Sequence, residues 1–236
     1  MAWRSVQWLG MGSDHHAFAL DRARVLRLPR WPGEGEALRR EARLLAWLAP
    51  RLGGAALPEV LHLGTASPLA PEGFSVARRV PGRSGLGGSL TDPAALGGAL
   101  VRWLADLHAL NPQGSGLELD LDPSGHDWRD AALNDLEAAA GAGVLPDLRK
   151  AVPVPIHGDF AAEHVSLDRQ GRLSGVLDWS DAALGDLARD RAGLIHWGDA
   201  ALLAAARVPA GGTARAGRAA GVVDKRPDPA VNLNRV

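Results

Sequence analysis

The stretch from Val152 to Trp179 limits the possible folds more than any other part of the chain. Apolar residues alternate with polar ones in His164 to Leu167 and again in Leu173 to Trp179, on either side of Arg169-Gln170-Gly171-Arg172. Period-two alternation around a glycine-containing turn predicts an antiparallel hairpin. With the turn centred between Gln170 and Gly171, Asp168 faces Leu173, His164 faces Leu177 and Glu163 faces Asp178. Facing residues lie roughly 4.5 to 5.5 Å apart, and Asp159 stands in the loop just ahead of the first strand. One hairpin end therefore collects Asp159, Glu163, His164 and Asp178.

Carboxylates so close repel unless a cation joins them. Oxygen ligands with room for phosphate favour magnesium, and a carboxylate left free of the metal can accept a proton from an attacking hydroxyl. A single acid in His157-Gly158-Asp159 could merely cap a turn, so it is the pairing with Asp178 that points to an active site. His157 itself is expected to be structural, its ring bonded to nearby backbone.

Upstream, Ala17 to Leu20 and Val25 to Pro29 read as two strands joined by Asp21 to Arg24, after a turn at Gly10 to Asp14. Leu38, Ala42, Leu45 and Leu48 recur at helical spacing from Glu36 to Leu48, with Glu41 beside the stripe. Phe74 to Val80 reads as a strand, and the glycine-rich Pro81 to Ser89 is expected to be irregular and to separate two lobes. Asp92-Pro93 is an N-cap with proline at the first helical position, after which Leu96, Leu100, Trp103, Leu104 and Leu107 mark one face. A polar, alanine-rich helix is expected near Trp128 to Ala140. Another should be opened by Asp186, with Leu187, Leu194 and Ile195 turned inward. Asp186 and Asp190 read as capping and bracing residues.

These signals divide the chain into an N-terminal lobe (1–80), a C-terminal lobe (81–206) and a loose tail (207–236), the tail being rich in Gly, Ala, Arg and Pro. The 236 residues include no cysteine, which removes disulfides, thiolate metal sites and cysteine nucleophiles and fits a reducing cytosol. A net charge of -1 without a basic stripe argues against nucleic acid or anionic lipid and for a small partner. No apolar run is long enough for a bilayer, so the expectation is a cytoplasmic protein with no membrane contact. The only lysines are Lys150 and Lys225, so a phosphate-binding cation near the N-terminus must be arginine. No zinc set forms around His15-His16, no G-x-S-x-G marks a serine hydrolase, and no P-loop is present.

His157-Gly158-Asp159 with His164, then Val176-Leu177-Asp178-Trp179 and Gly185-Asp186-Leu187-Ala188-Arg189-Asp190, resemble the aminoglycoside and macrolide phosphotransferase family of small-molecule kinases. Val25 to Arg30, Glu41, Pro81-Gly82 and Leu107 to Leu110 extend the resemblance upstream. It implies an α+β, protein-kinase-like fold with a small N-terminal β-lobe and a mostly helical C-terminal lobe. It also implies ATP or GTP as phosphoryl donor, Mg2+, and a small hydroxylated acceptor such as an aminoglycoside or macrolide antibiotic. Asp159 would be the catalytic base and Asp178 the principal metal ligand. His164, where many relatives place an asparagine, would be the second ligand. Arg27 takes the place of the kinase lysine, with Glu41 as its ion-pair partner. Gly12 and Ser13 in the first turn, and backbone near Arg78 and Val80, complete the nucleotide site. A nucleotide-binding pseudokinase is the alternative, suggested by His164 and by a C-terminus unlike that of relatives.

Overall fold

The computed structural model describes residues 3–117, 119 and 152–206, which cluster as parts of one compact unit. The expected helix near Trp128 to Ala140 and the tail 207–236 lie outside the described residues. A five-stranded antiparallel sheet is built from β1 (Val6–Met11), β2 (His15–Leu20), β3 (Arg24–Pro29), β4 (Val60–Gly64) and β5 (Phe74–Arg78), in the order β1-β2-β3-β5-β4.

Two of these strands are not apparent from the sequence pattern, and both carry a register shift. In β1 the shift lies between Trp8 and Gly10, and in β4 between Val60 and His62. A bulge inserts a residue and breaks the period-two alternation by which a strand is read. Trp8 nevertheless pairs with Phe18 across the sheet, ring centroids 5.0 Å apart and edge to face.

Helix α1 (Glu34–Leu48) starts two residues ahead of its apolar periodicity and buries Leu38, Glu41, Leu44, Leu45 and Leu48. Helix α2 (Pro93–His108) begins as its sequence requires, with the Asp92 carboxylate accepting the Ala95 N–H at 2.9 Å. Its buried face is Leu96, Leu100, Trp103, Leu104 and Leu107. The glycine-rich stretch after β5 is less irregular than expected. Arg83–Ser84 forms a short strand, β6, that pairs with the hairpin and makes it a three-stranded sheet.

β7 (Val154–Ile156) leads into the 157–159 loop, and a 3-10 turn (Ala162–His164) leads into the hairpin strands β8 (Val165–Leu167) and β9 (Leu173–Val176). Val165 pairs with Val176 and Ser166 with Gly175, the register expected from the turn. The ladder then shifts, so that Leu167 faces Leu173. Asp168 therefore does not face Leu173. Its N–H bonds the Arg172 carbonyl, and its carboxylate accepts from the Gln170 and Arg172 N–H groups, tightening the turn by one residue. β10 (Ala183–Gly185) returns antiparallel to β7.

Asp186 then accepts the Ala188 N–H and opens the short helix Ala188–Gly193, which passes into a 3-10 turn at Leu194–Trp197. Leu194 is fully buried, but Ile195 is 41% exposed, contrary to the inward position expected of it, because the tightening of the helix rotates the face. A last helix, Ala200–Ala205, lies against α2, so close that a Cβ on Gly97 would lie 2.3 Å from the Leu202 carbonyl oxygen.

One apolar core runs from Leu44 and Leu48 on α1, through Leu100, Trp103 and Leu104 on α2, to Val165, Val176 and Trp179 of the hairpin. No helix among the described residues is long and apolar enough to cross a membrane. Leu104→Ala should cost about 2–5 kcal/mol of stability, since it empties a fully packed position. Ile195→Ala should change stability by only about 0.5 kcal/mol or less. Urea unfolding of both variants against the parent checks the contrast.

Candidate active site

Asp159 follows a glycine that has little choice of conformation. Gly158 has φ +86°, and a Cβ there would lie 2.1 Å from the Asp181 carbonyl oxygen. The loop is fixed from beneath by Asp190, which is fully buried. One carboxylate oxygen accepts the His157 N–H at 2.9 Å and meets His108 Nε2 at 2.9 Å, and the other accepts the Gly158 N–H at 2.9 Å. A buried carboxylate satisfied by three donors is a rigid support. The bracing role is legible from the motif, whereas the partner His108, at the far end of α2, is not.

His157 takes the structural place expected of it. Its Nε2 donates to the Leu177 carbonyl at 2.8 Å and its Nδ1 accepts the Asp159 N–H at 3.3 Å. Burial holds its pKa below the ordinary value, and the neutral ring lies against Trp179 with centroids 4.7 Å apart.

Asp159 itself is open to solvent, its side chain 54% exposed. His164 Nε2 lies 3.2 Å from its carboxylate, and this hydrogen bond is the main reason its pKa is lowered. His164 Nδ1 faces the Asp178 carboxylate at 3.8 Å. The imidazole thus stands between the two acids. Burial works to lower its pKa, but the bond to Asp159 and the charge of Asp178 outweigh burial and raise it. Glu163 does not join them. It lies in the 3-10 turn ahead of the strand with an exposed side chain, and its carbonyl accepts from Ser84 Oγ.

Asp178 has left-handed backbone, φ +57°, and its carboxylate accepts from Ser180 Oγ at 2.8 Å. Burial works to raise its pKa, and the Arg27 and His164 charges prevail and lower it. Arg27 Nη2 is 3.8 Å from Asp178, while Nη1 donates to Glu41 at 2.5 Å. Glu41, 4% exposed, also accepts the Trp179 N–H at 3.3 Å through its other oxygen. Asp159, His164, Asp178, Arg27 and Glu41 therefore form one connected set drawn from β3, α1 and the open end of the hairpin.

The remaining candidates lie apart from this set. Gly12 and Ser13 sit in the β1–β2 turn, where their carbonyls accept from Arg30 Nη1 at 2.6 and 3.0 Å and Ser13 also accepts from Trp31 Nε1. Arg78 points outward to pair with Glu59 at 2.6 Å, and its N–H is given to the Glu59 carbonyl. Val80 is buried and packs on Gly175.

Among the described residues no three His, Cys, Asp or Glu side chains form a ready metal cage. Magnesium does not require one, since it is commonly held by one or two protein ligands with substrate phosphates and water. The donor set fits that pattern. His164 can give its Nε2 proton to Asp159 and leave Nδ1 as a lone pair facing the same space as the Asp178 carboxylate.

Residues 7–221 match the family model described as the phosphotransferase enzyme family, APH. The GDP and kanamycin complex of APH(2")-IIIa superposes with a TM-score of 0.68 at 19% identity, over 88% of this chain and 78% of that one. The macrolide 2'-phosphotransferase MphH of Brachybacterium faecium gives 0.64 at 24% identity, over 86% and 74%. At these identities the likeness establishes the kinase-like α+β fold. A shorter match, 46% identical over 35 residues, links 15% of this chain to 11% of the uncharacterized protein YcbJ of Bacillus subtilis (strain 168). With nearly its whole length matched, the chain belongs to the APH phosphotransferase enzyme family.

Proposed function

We propose that the protein transfers the γ-phosphoryl group of ATP or GTP to a hydroxyl of a small molecule of aminoglycoside or macrolide type. One observation carries the reading: an exposed carboxylate kept ionised, Asp159, stands across His164 from a second carboxylate, Asp178, that faces an arginine. The proposed donor and acceptor classes are supported by the GDP, kanamycin and macrolide named for the structural neighbours.

Asp159 accepts a hydrogen bond from the acceptor hydroxyl, aims its oxygen at the γ-phosphorus and takes its proton as the bond to phosphorus forms. Its lowered pKa keeps it ready to accept near neutral pH. His164 Nε2 fixes the orientation of that carboxylate. Arg27, held by Glu41, faces the phosphates and offsets charge gathering on the leaving diphosphate. Asp178 and the Nδ1 of His164 would hold Mg2+, which supplies charge neutralisation across the phosphates.

Asp159→Asn should lower kcat about 10²–10⁴-fold with little change in nucleotide affinity. The assay is transfer from labelled ATP and GTP to a pooled panel of aminoglycosides, macrolides and sugar alcohols, and undiminished turnover would refute the role. Asp178→Ala should instead weaken binding of magnesium nucleotide. If no acceptor is labelled while nucleotide still binds, the protein acts as a nucleotide-binding pseudokinase.

A proton and magnesium compete for His164. Its pKa is raised, so the protonated, non-ligating form gains as pH falls through that raised value. Affinity for magnesium nucleotide is therefore expected to weaken as pH falls through that raised value, and His164→Asn should flatten this dependence in titration calorimetry.

A further inference from the structure

His15 is the first residue of β2, directly after the Gly10 to Asp14 turn, and is only 8% exposed. It lies two residues before Ala17, the register partner of Arg27, and strand period places both on one face of the sheet. Its Nδ1 is 3.2 Å from Arg27 Nη2. Arginine has only donors, so Nδ1 is the acceptor and the ring proton resides on Nε2. That second nitrogen is buried and has no hydrogen-bond partner among the described residues.

A side chain that merely filled this space would do better without a ring N–H left unpaired in the interior, where its lost hydration is not replaced. What the imidazole provides and an apolar residue cannot is the acceptor for Nη2. Arg27 needs it because its two terminal nitrogens have different surroundings. Nη1 is committed to Glu41, while Nη2 lies 3.8 Å from the Asp178 carboxylate.

We infer that His15 is a positioning residue, a neutral acceptor that holds Arg27 Nη2 away from Asp178, so that the guanidinium meets nucleotide phosphate and the Asp178 carboxylate remains available to metal. Neutrality matters as much as geometry. Glu41 and Asp178 already set two negative charges against one arginine, and a third carboxylate at position 15 would further reduce its attraction for phosphate. Burial, with the Arg27 charge, lowers the pKa of His15 to about 4 despite the opposing charges of Asp178 and Asp14. The imidazole thus stays uncharged near neutral pH. A lysine, with a single nitrogen, would need no such partner.

The inference rests on the reading of Arg27 as a phosphate-binding group, and the test separates the two. Dissociation constants for MgATP and for adenosine are measured on the whole protein carrying His15→Phe or His15→Gln, with melting temperature as the measure of folding. His15→Phe should weaken MgATP on the order of tenfold, the loss of one hydrogen bond to a charged group. Adenosine affinity should be unchanged and the melting temperature not lowered. His15→Gln, which restores an acceptor, should recover most of the MgATP affinity.

If His15→Phe is too unstable to assay, His15→Leu is made in both the parent and the Arg27→Lys backgrounds. A loss of MgATP affinity seen only beside arginine supports the inference, and equal losses in both overturn it. Equal weakening of ATP and adenosine, or no weakening of either, also overturns it and leaves the kinase reading intact. A parent protein that binds neither MgATP nor MgGTP overturns that reading and this inference together.

Discussion

The arrangement depends on a carboxylate placed where water cannot reach it. Glu41 is almost wholly buried, and a charge there persists only if other groups replace the lost hydration. Arg27 supplies the opposite charge and the Trp179 N–H a hydrogen bond. These partners come from β3 and from the residue after Asp178, so one side chain of α1 fixes the separation between the arginine and the acid. Loss of Arg27 would leave the buried Glu41 charge uncompensated, and loss of Glu41 would free both the guanidinium and the Trp179 N–H, which makes the three-way contact a single unit.

The second support lies below the hairpin. Asp190 joins the end of α2, through His108, to the backbone of the 157–158 loop. Asp159 is thereby mounted on the helical core, whereas Arg27 is mounted on the five-stranded sheet. The two mountings meet at the short span between Arg27 and Asp178 and at the shared contacts of Glu41.

The sequence reveals the parts of the fold that obey simple periods. The α1 and α2 stripes, the Asp92-Pro93 start and the hairpin pairing near His164 all follow from spacing. Elements that break a period are not apparent from it: β1 and β4 contain bulges, while β6 and β10 are too short to show alternation. The turn misleads for a related reason. Asp168 folds its carboxylate back onto the turn and shortens it by one residue, a choice that side-chain hydrogen bonding makes and hydropathy does not record. At the site, the nearness of Asp159, His164 and Asp178 is legible because a hairpin register fixes it. His15 is not, since its significance lies in one nitrogen meeting an arginine from the neighbouring strand. Arg78 is similarly opaque, because which way it faces at the sheet's end depends on Glu59.

The backbone of Asp178 carries a lesson about reading such motifs. At φ +57° only Gly, Asn and Asp sit with modest strain. Of these three, aspartate alone brings a negative charge, so two independent demands converge on one letter of the sequence. A descendant that had abandoned catalysis would still be held to this short alphabet by chain geometry. Asp159 has no positive φ and is under no such compulsion. Between the two acids, chain geometry therefore restricts the residue at 178 and leaves position 159 free of that restriction.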